Sequence, residues 1–152
     1  MKNVKFLLSA ALVFLASAAL AQDFSAPQYA KWGATPEERE QNILNSNFLK
    51  ESCDNRDYDA AAHYLKGLID KIPDAAESIY QRGAVVYKNK INRAKSVAEK
   101  NMFIDSLMLM YDMRAQYFGD NVKPGKTAFI LDQKAREFLR YKPNDRKGIR
   151  EA

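Results

Sequence analysis

Apolar positions fall into two patterns along this chain. From Phe6 to Leu20 they form one block, interrupted only by Ser9 and Ser17. After Gly33 they recur every three to four residues, the period at which side chains return to one face of an α-helix. The first helical start is sharply marked. Thr35 suits the N-cap, Pro36 the first helical position, and Glu37 and Glu38 the positive end of the dipole. Glu38 stands three residues after Thr35 and completes a capping box. This helix is expected to run to about Ser52, with a turn from Cys53 to Arg56.

A second helix begins near Asp57 and stops before Pro73, since the residue preceding proline avoids the helical region. Its stripe is Ala61, Leu65, Leu68, Ile69 and Ile72. A third starts at Asp74, with Ile79, Gly83, Val86, Ile91 and Ala94 on its packed side. Ser96 and Glu99 form another capping box and place a break near Lys95, although the period alone also allows one continuous helix. The fourth carries Ile104, Leu107, Met108 and Tyr111 and ends at Gly119, expected to be a left-handed cap. After a loop from Asp120 to Pro124, a fifth spans Lys126 to Tyr141, with Ala128, Leu131, Ala135, Phe138 and Leu139 on one face. Pro143 ends it, and Asp145 can cap a short sixth. No stretch alternates as a strand does, so the fold class is all-α, with five to six helices.

The apolar block is a different object. Lys2 and Lys5 precede it and Ala19-Leu20-Ala21 closes it, the small-x-small pattern that signal peptidase accepts before Gln22. Residues 1–21 are therefore expected to be a cleaved secretory signal, residues 22–34 an extended lead-in, and residues 35–152 the helical domain. A periplasmic or secreted location follows. No cysteine follows the block closely enough for lipidation, and no second apolar span remains after cleavage.

Export changes the meaning of composition and charge. Cys53 is the only cysteine, so no disulfide framework exists within the chain. From Gln22 to Asp120 the net charge is −2; from Asn121 to Ala152 it is +5. A basic third can mark nucleic-acid binding, but export argues against that partner, and the mixed signs fit a solvated helix face. His63, the single histidine, lacks a second ligand or a nucleophilic partner. Gly125-Lys126-Thr127 ends like a phosphate-binding loop, yet Gly119 and Gly125 enclose five residues instead of four, and no strand precedes them. Carboxylates are plentiful but none is singled out as catalytic. Met102, Met108, Met110 and Met113 share one helix and suit core filling. The expectation is a chain without cofactor or metal that is not an enzyme.

Helices joined by short turns invite a search for repeats. Tyr58-x-x-Ala61-x-x-x-Leu65-x-x-Leu68, followed by Pro73, resembles the second helix of a tetratricopeptide repeat. Ile79-x-x-Arg82-Gly83-x-x-Val86 resembles the first helix of the next unit, and counting back the period of about 34 residues reaches Leu49 beside Phe48. Phe103-x-x-Ser106-x-x-x-Met110-x-x-Met113 repeats the Tyr58 pattern, and Leu131-x-x-Lys134-Ala135-x-x-Phe138 opens a third, incomplete unit. The second unit is long, since Gly83 and Ala135 lie 52 residues apart. The chain is thus similar to exported tetratricopeptide-repeat proteins of Gram-negative envelopes and resembles the N-terminal part of a longer array.

That resemblance implies a stack of antiparallel hairpins whose first helices line a concave groove for a peptide or protein partner. Carried over, it puts Lys50, Glu77, Tyr80, Tyr87, Asp132 and Arg136 in the groove, with Tyr80 and Tyr87 gripping a chain and Lys50 and Arg136 holding a carboxylate. The competing reading packs both tyrosines between hairpins. A structural subunit or homo-oligomer is the alternative function, because the Leu131 and Phe138 face needs a cover. An enzyme acting on envelope polymers comes third.

Overall fold

The computed structural model describes residues 22–145 and Gly148. It is all-α, with no strand among the described residues. A 3-10 helix over Pro27–Trp32 is followed by α1 (Pro36–Asp54), α2 (Tyr58–Lys71), α3 (Glu77–Arg93), α4 (Val97–Phe118) and α5 (Lys126–Tyr141). No helix among the described residues is long and apolar enough to cross a membrane. The expected signal segment and the cleavage position at Ala21 and Gln22 lie wholly or partly outside the described residues. So does most of the sixth helix, although Asp145 Oδ1 accepts the Gly148 N–H at 2.9 Å, as a cap does.

The helix starts follow their local chemistry. Thr35 Oγ1 accepts the Glu38 N–H at 3.2 Å, and Ser96 Oγ accepts the Glu99 N–H at 3.1 Å. Each glutamate reaches back one residue further than the simple box requires, to the N–H of Ala34 and of Lys95. The second box decides between the two readings of the long helical stretch: α3 and α4 are separate, joined by Ala94 to Ser96. The third helix starts later than its first acidic residue suggested, at Glu77, because Asp74 to Ala76 form a turn. Residues 22–34 also differ from the extended expectation. The 3-10 helix folds back on α1, where Asn42 donates to the Trp32 carbonyl at 2.7 Å. Arg39 satisfies the carbonyls of Phe24, Ser25, Gly33 and Ala34.

Consecutive helices pack against one another, and α1 also packs on α3. The inner faces of these first elements are apolar and dense. Leu49, Ala61, Leu65, Leu68, Ile79 and Val86 are all buried in one cluster. Gly83 lets α3 approach: a Cβ there would lie 2.7 Å from Met110 Sδ and 3.2 Å from Leu65 Cδ1. Such burial contributes about 25 cal/mol for each Å² of apolar surface removed from water.

The third hairpin departs from this rule. α5 packs on α4 and does not pack on α3. Its buried positions are Ile130, Lys134 and Phe138, a stripe rotated from the expected one. Leu131 and Leu139 stay 37% and 45% exposed, with Ala128 also on the surface. With one helix beneath it instead of two, α5 buries a narrower stripe. Lys134 joins that stripe because Asp112 of α4 pairs with it at 2.8 Å. Gly119 is not a left-handed cap, since its φ is −84°. It is required by close approach: a Cβ would meet Thr127 Oγ1 at 2.2 Å and the Ala115 carbonyl oxygen at 2.3 Å. The left-handed residue of this connection is Gly125, with φ 79°.

Candidate functional site

The displacement of α5 from α3 leaves a cleft of about 520 Å³, with α4 as its floor. Tyr80, Ala84, Val85 and Lys88 come from α3, Met110, Tyr111 and Arg114 from α4, and Phe129, Gln133, Arg136 and Glu137 from α5. Two ion pairs tie the walls across the gap. Glu77 accepts from Lys126 at 2.7 Å beyond one end, and Lys88 meets Glu137 at 2.6 Å at the other. Glu77 and Lys126 are 49 residues apart, and so are Lys88 and Glu137. Equal separation at both ends means that α3 and α5 run parallel. The eleven residue steps along α3 from Glu77 to Lys88 span about 16 Å. The walls thus match at an offset of 49 residues, three fewer than the alignment of Gly83 with Ala135.

The floor carries the unusual group. Arg114 is only 9% exposed. Its Nε donates to Glu77 Oε1 at 2.9 Å and its Nη1 to Gln133 Oε1 at 2.9 Å. Glu77 is consequently held by two cations. Burial pushes its carboxyl up, but the hydrogen bonds and charges of Lys126 and Arg114 together outweigh that and keep it below the usual glutamate range. At the far end, burial pulls the Lys88 ammonium down, while Glu137 and Tyr111 together more than compensate and leave it raised. Glu137 Oε2 is enclosed without a hydrogen-bond partner, with Arg140 Nη1 at 3.7 Å. Val85 and Phe129 stand at the rims, 44% and 56% exposed.

The residues proposed from the repeat pattern separate into three groups. Arg136 and Tyr80 line this cleft, and Glu77 braces it. Tyr80, however, is a core residue rather than a grip. It is 1% exposed, donates its hydroxyl to the Pro73 carbonyl at 2.7 Å and stacks on Tyr117 with centroids 6.3 Å apart. Burial pushes its phenol well above the ordinary range. Tyr87 is half-buried against Phe103 of α4, so both tyrosines pack between helices. The physical reason is that they share the face α3 turns to α4. Lys50 pairs with Asp54 along α1, and Asp132 pairs with Arg136 at 2.8 Å on the exposed side of α5. Lys50 is therefore no partner of Arg136 in holding a carboxylate.

Other candidates are absorbed by structure. His63 is exposed at the edge of Tyr64. Cys53 is half-buried, and burial raises its thiol. Thr127 and Asp120 exchange two hydrogen bonds at 2.9 and 3.0 Å, while Lys126 is held by Glu77. No metal-ligating cluster occurs among the described residues. Met108 and Met110 are core, and Met102 is exposed.

Arg114, Lys88, Gln133, Glu137, Phe129 and Val85 were not singled out from the sequence. A signal existed for Arg114: it lies three residues after Tyr111 and four before Phe118, within the packed stripe of α4. A charge in such a stripe is buried only when something neutralises it. Comparison with protein-family profiles, with curated proteins and with solved structures gives no match.

Proposed function

We propose that this chain is an exported helical-repeat module, organised like a tetratricopeptide protein, that binds a peptide or protein partner in the cell envelope. The observation that carries this reading is the cleft itself. Its walls are parallel helices that do not pack together, and its rims expose Val85 and Phe129 above a polar floor. A concave, mostly preformed site with apolar rims and a few fixed polar groups is the ordinary form of a binding site.

A photo-crosslinking residue at Phe129 in the exported protein tests the proposal. A defined adduct from intact envelopes, lost when Val85→Asp is combined with it, is the expected result. The absence of any adduct, or one indifferent to Val85→Asp, counts against the cleft.

A second reading as a structural or self-associating subunit is favoured by one observation. Leu109 of α4 and Leu131 of α5 are exposed beside the α4–α5 seam. Exposed apolar groups next to one another mark interaction surfaces. Light scattering checks it: a monomer across the micromolar range removes self-association.

A further inference from the structure

We infer that the cleft receives an acidic side chain, Asp or Glu, from a partner segment laid across its rims, and that Arg114 on the floor reads it. This deepens the proposed binding role and rests on it.

The argument begins with hydrogen-bond capacity. An arginine side chain has five N–H donors. Arg114 uses one on Glu77, through Nε, and one on Gln133, through Nη1. Nη2 has no partner among the described residues. It is not sealed in, because Glu137 Oε2 is the side-chain nitrogen or oxygen that is enclosed and unpaired. Arg114 lines the cleft, so its unspent donors belong to a side chain nine-tenths buried and open to the cleft space. Gln133 adds its amide N–H groups, since its oxygen already accepts from Arg114. An ionised carboxylate presents two oxygens, each able to accept from such a pair, and arginine meets it with a planar fork.

Charge points the same way. Lys88, Arg114, Lys126 and Arg136 line or brace the cleft against Glu77, Glu137 and Asp132. Four cations against three carboxylates leave a local excess of one positive charge. Arg114 and Lys126 are the least exposed of these cations, and burial lowers the effective dielectric around them, which strengthens attraction for an anion.

Geometry then separates a side chain from a chain terminus. The Glu77–Lys126 and Lys88–Glu137 pairs tie the walls together at both ends, about 16 Å apart. Glu77 bonds both Arg114 and Lys126, so this brace closes its end of the cleft at the depth of the floor. A segment can rest on Val85 and Phe129 and send one acidic side chain down to Arg114.

Three labelled peptides with blocked ends test this on the mature protein by fluorescence anisotropy. The first carries a central Glu between Leu and Phe, the second has Gln in its place, and the third is the Gln peptide with a free C-terminal carboxylate. The first is expected to bind about tenfold or more tighter than the second, the range of one charged hydrogen bond, and the third is expected to stay as weak as the second. Gln133→Leu, which removes no buried charge, should weaken only the Glu peptide. Arg114→Gln should abolish the difference, with circular dichroism checking its fold. Equal binding of Glu and Gln peptides overturns the inference, as does full recovery by the free C-terminus. If no peptide binds while the Phe129 crosslink still captures a partner, the acidic reading fails and the binding cleft survives. If the crosslink fails too, the cleft reading itself fails.

Discussion

α3 meets α1 and α5 in opposite ways. Toward α1 and α2 it offers Ile79, Gly83 and Val86, and the junction is filled by Leu49, Leu65 and Leu68 with no charge inside. Toward α5 it offers Glu77 and Lys88, and the backbones stand apart, tied by ion pairs across the cleft. Apolar packing loses energy steeply with separation, so the first junction has one stable arrangement. Ion pairs tolerate distance and exchange readily with water, so the second can yield to a ligand. The same helix thus serves as a fixed wall on one side and a working surface on the other.

Substitutions can test how far apart these junctions really are. The largest loss is expected from Leu65→Ala at the apolar junction, about 3 kcal/mol by chemical denaturation. At the charged junction, Arg114→Leu leaves Gln133 unpaired and Glu77 with one cation; about 2 kcal/mol is expected. Its effect should show in hydrogen exchange as faster opening of α5 than of α2. A uniform rise in exchange along the chain would erase the distinction. Tyr80→Phe tests the seam between the two regions: losing the bond to Pro73 should cost about 1 kcal/mol, without altering helicity.

Acid sharpens the comparison through Glu77. A carboxyl depressed in the folded state contributes stability that is complete above the ordinary glutamate range and is lost as pH falls through its own lower value. Glu77→Gln should therefore flatten the acid limb of the stability profile. Leu65→Ala should lower the profile at every pH alike. The smallest effect belongs to Asp132→Ala, below about 0.5 kcal/mol, because its pair with Arg136 is solvent-exposed.

What the sequence made legible follows this division. The caps at Thr35 and Ser96, the stop at Pro73 and the stripes of α2, α3 and α4 were readable because propensity and burial agree there. The face of α5 was not. Leu131 and Leu139 are more hydrophobic than Lys134, yet Lys134 lies inward, since the position of Asp112 is a tertiary fact. Gly119 was recognised as special for the wrong reason: tight approach to Thr127, not backbone handedness, demands it. Tyr80 and Tyr87 were correctly placed on one face, but periodicity cannot say what that face meets. The cleft itself comes from a missing contact between α3 and α5, and a one-dimensional pattern records no absence of that kind.

The short connection between α4 and α5 has a further consequence. Thr127 and Asp120 clasp each other across it, and Gly119 leaves no room for slack. A helix docked on one neighbour, through Ile130, Phe138 and the Lys134–Asp112 pair, and joined to it by a short hinge is the kind of element that two molecules can trade by domain swapping. The clasp opposes that exchange: it holds the elbow bent, so the helix folds back onto its own chain before another copy can borrow it.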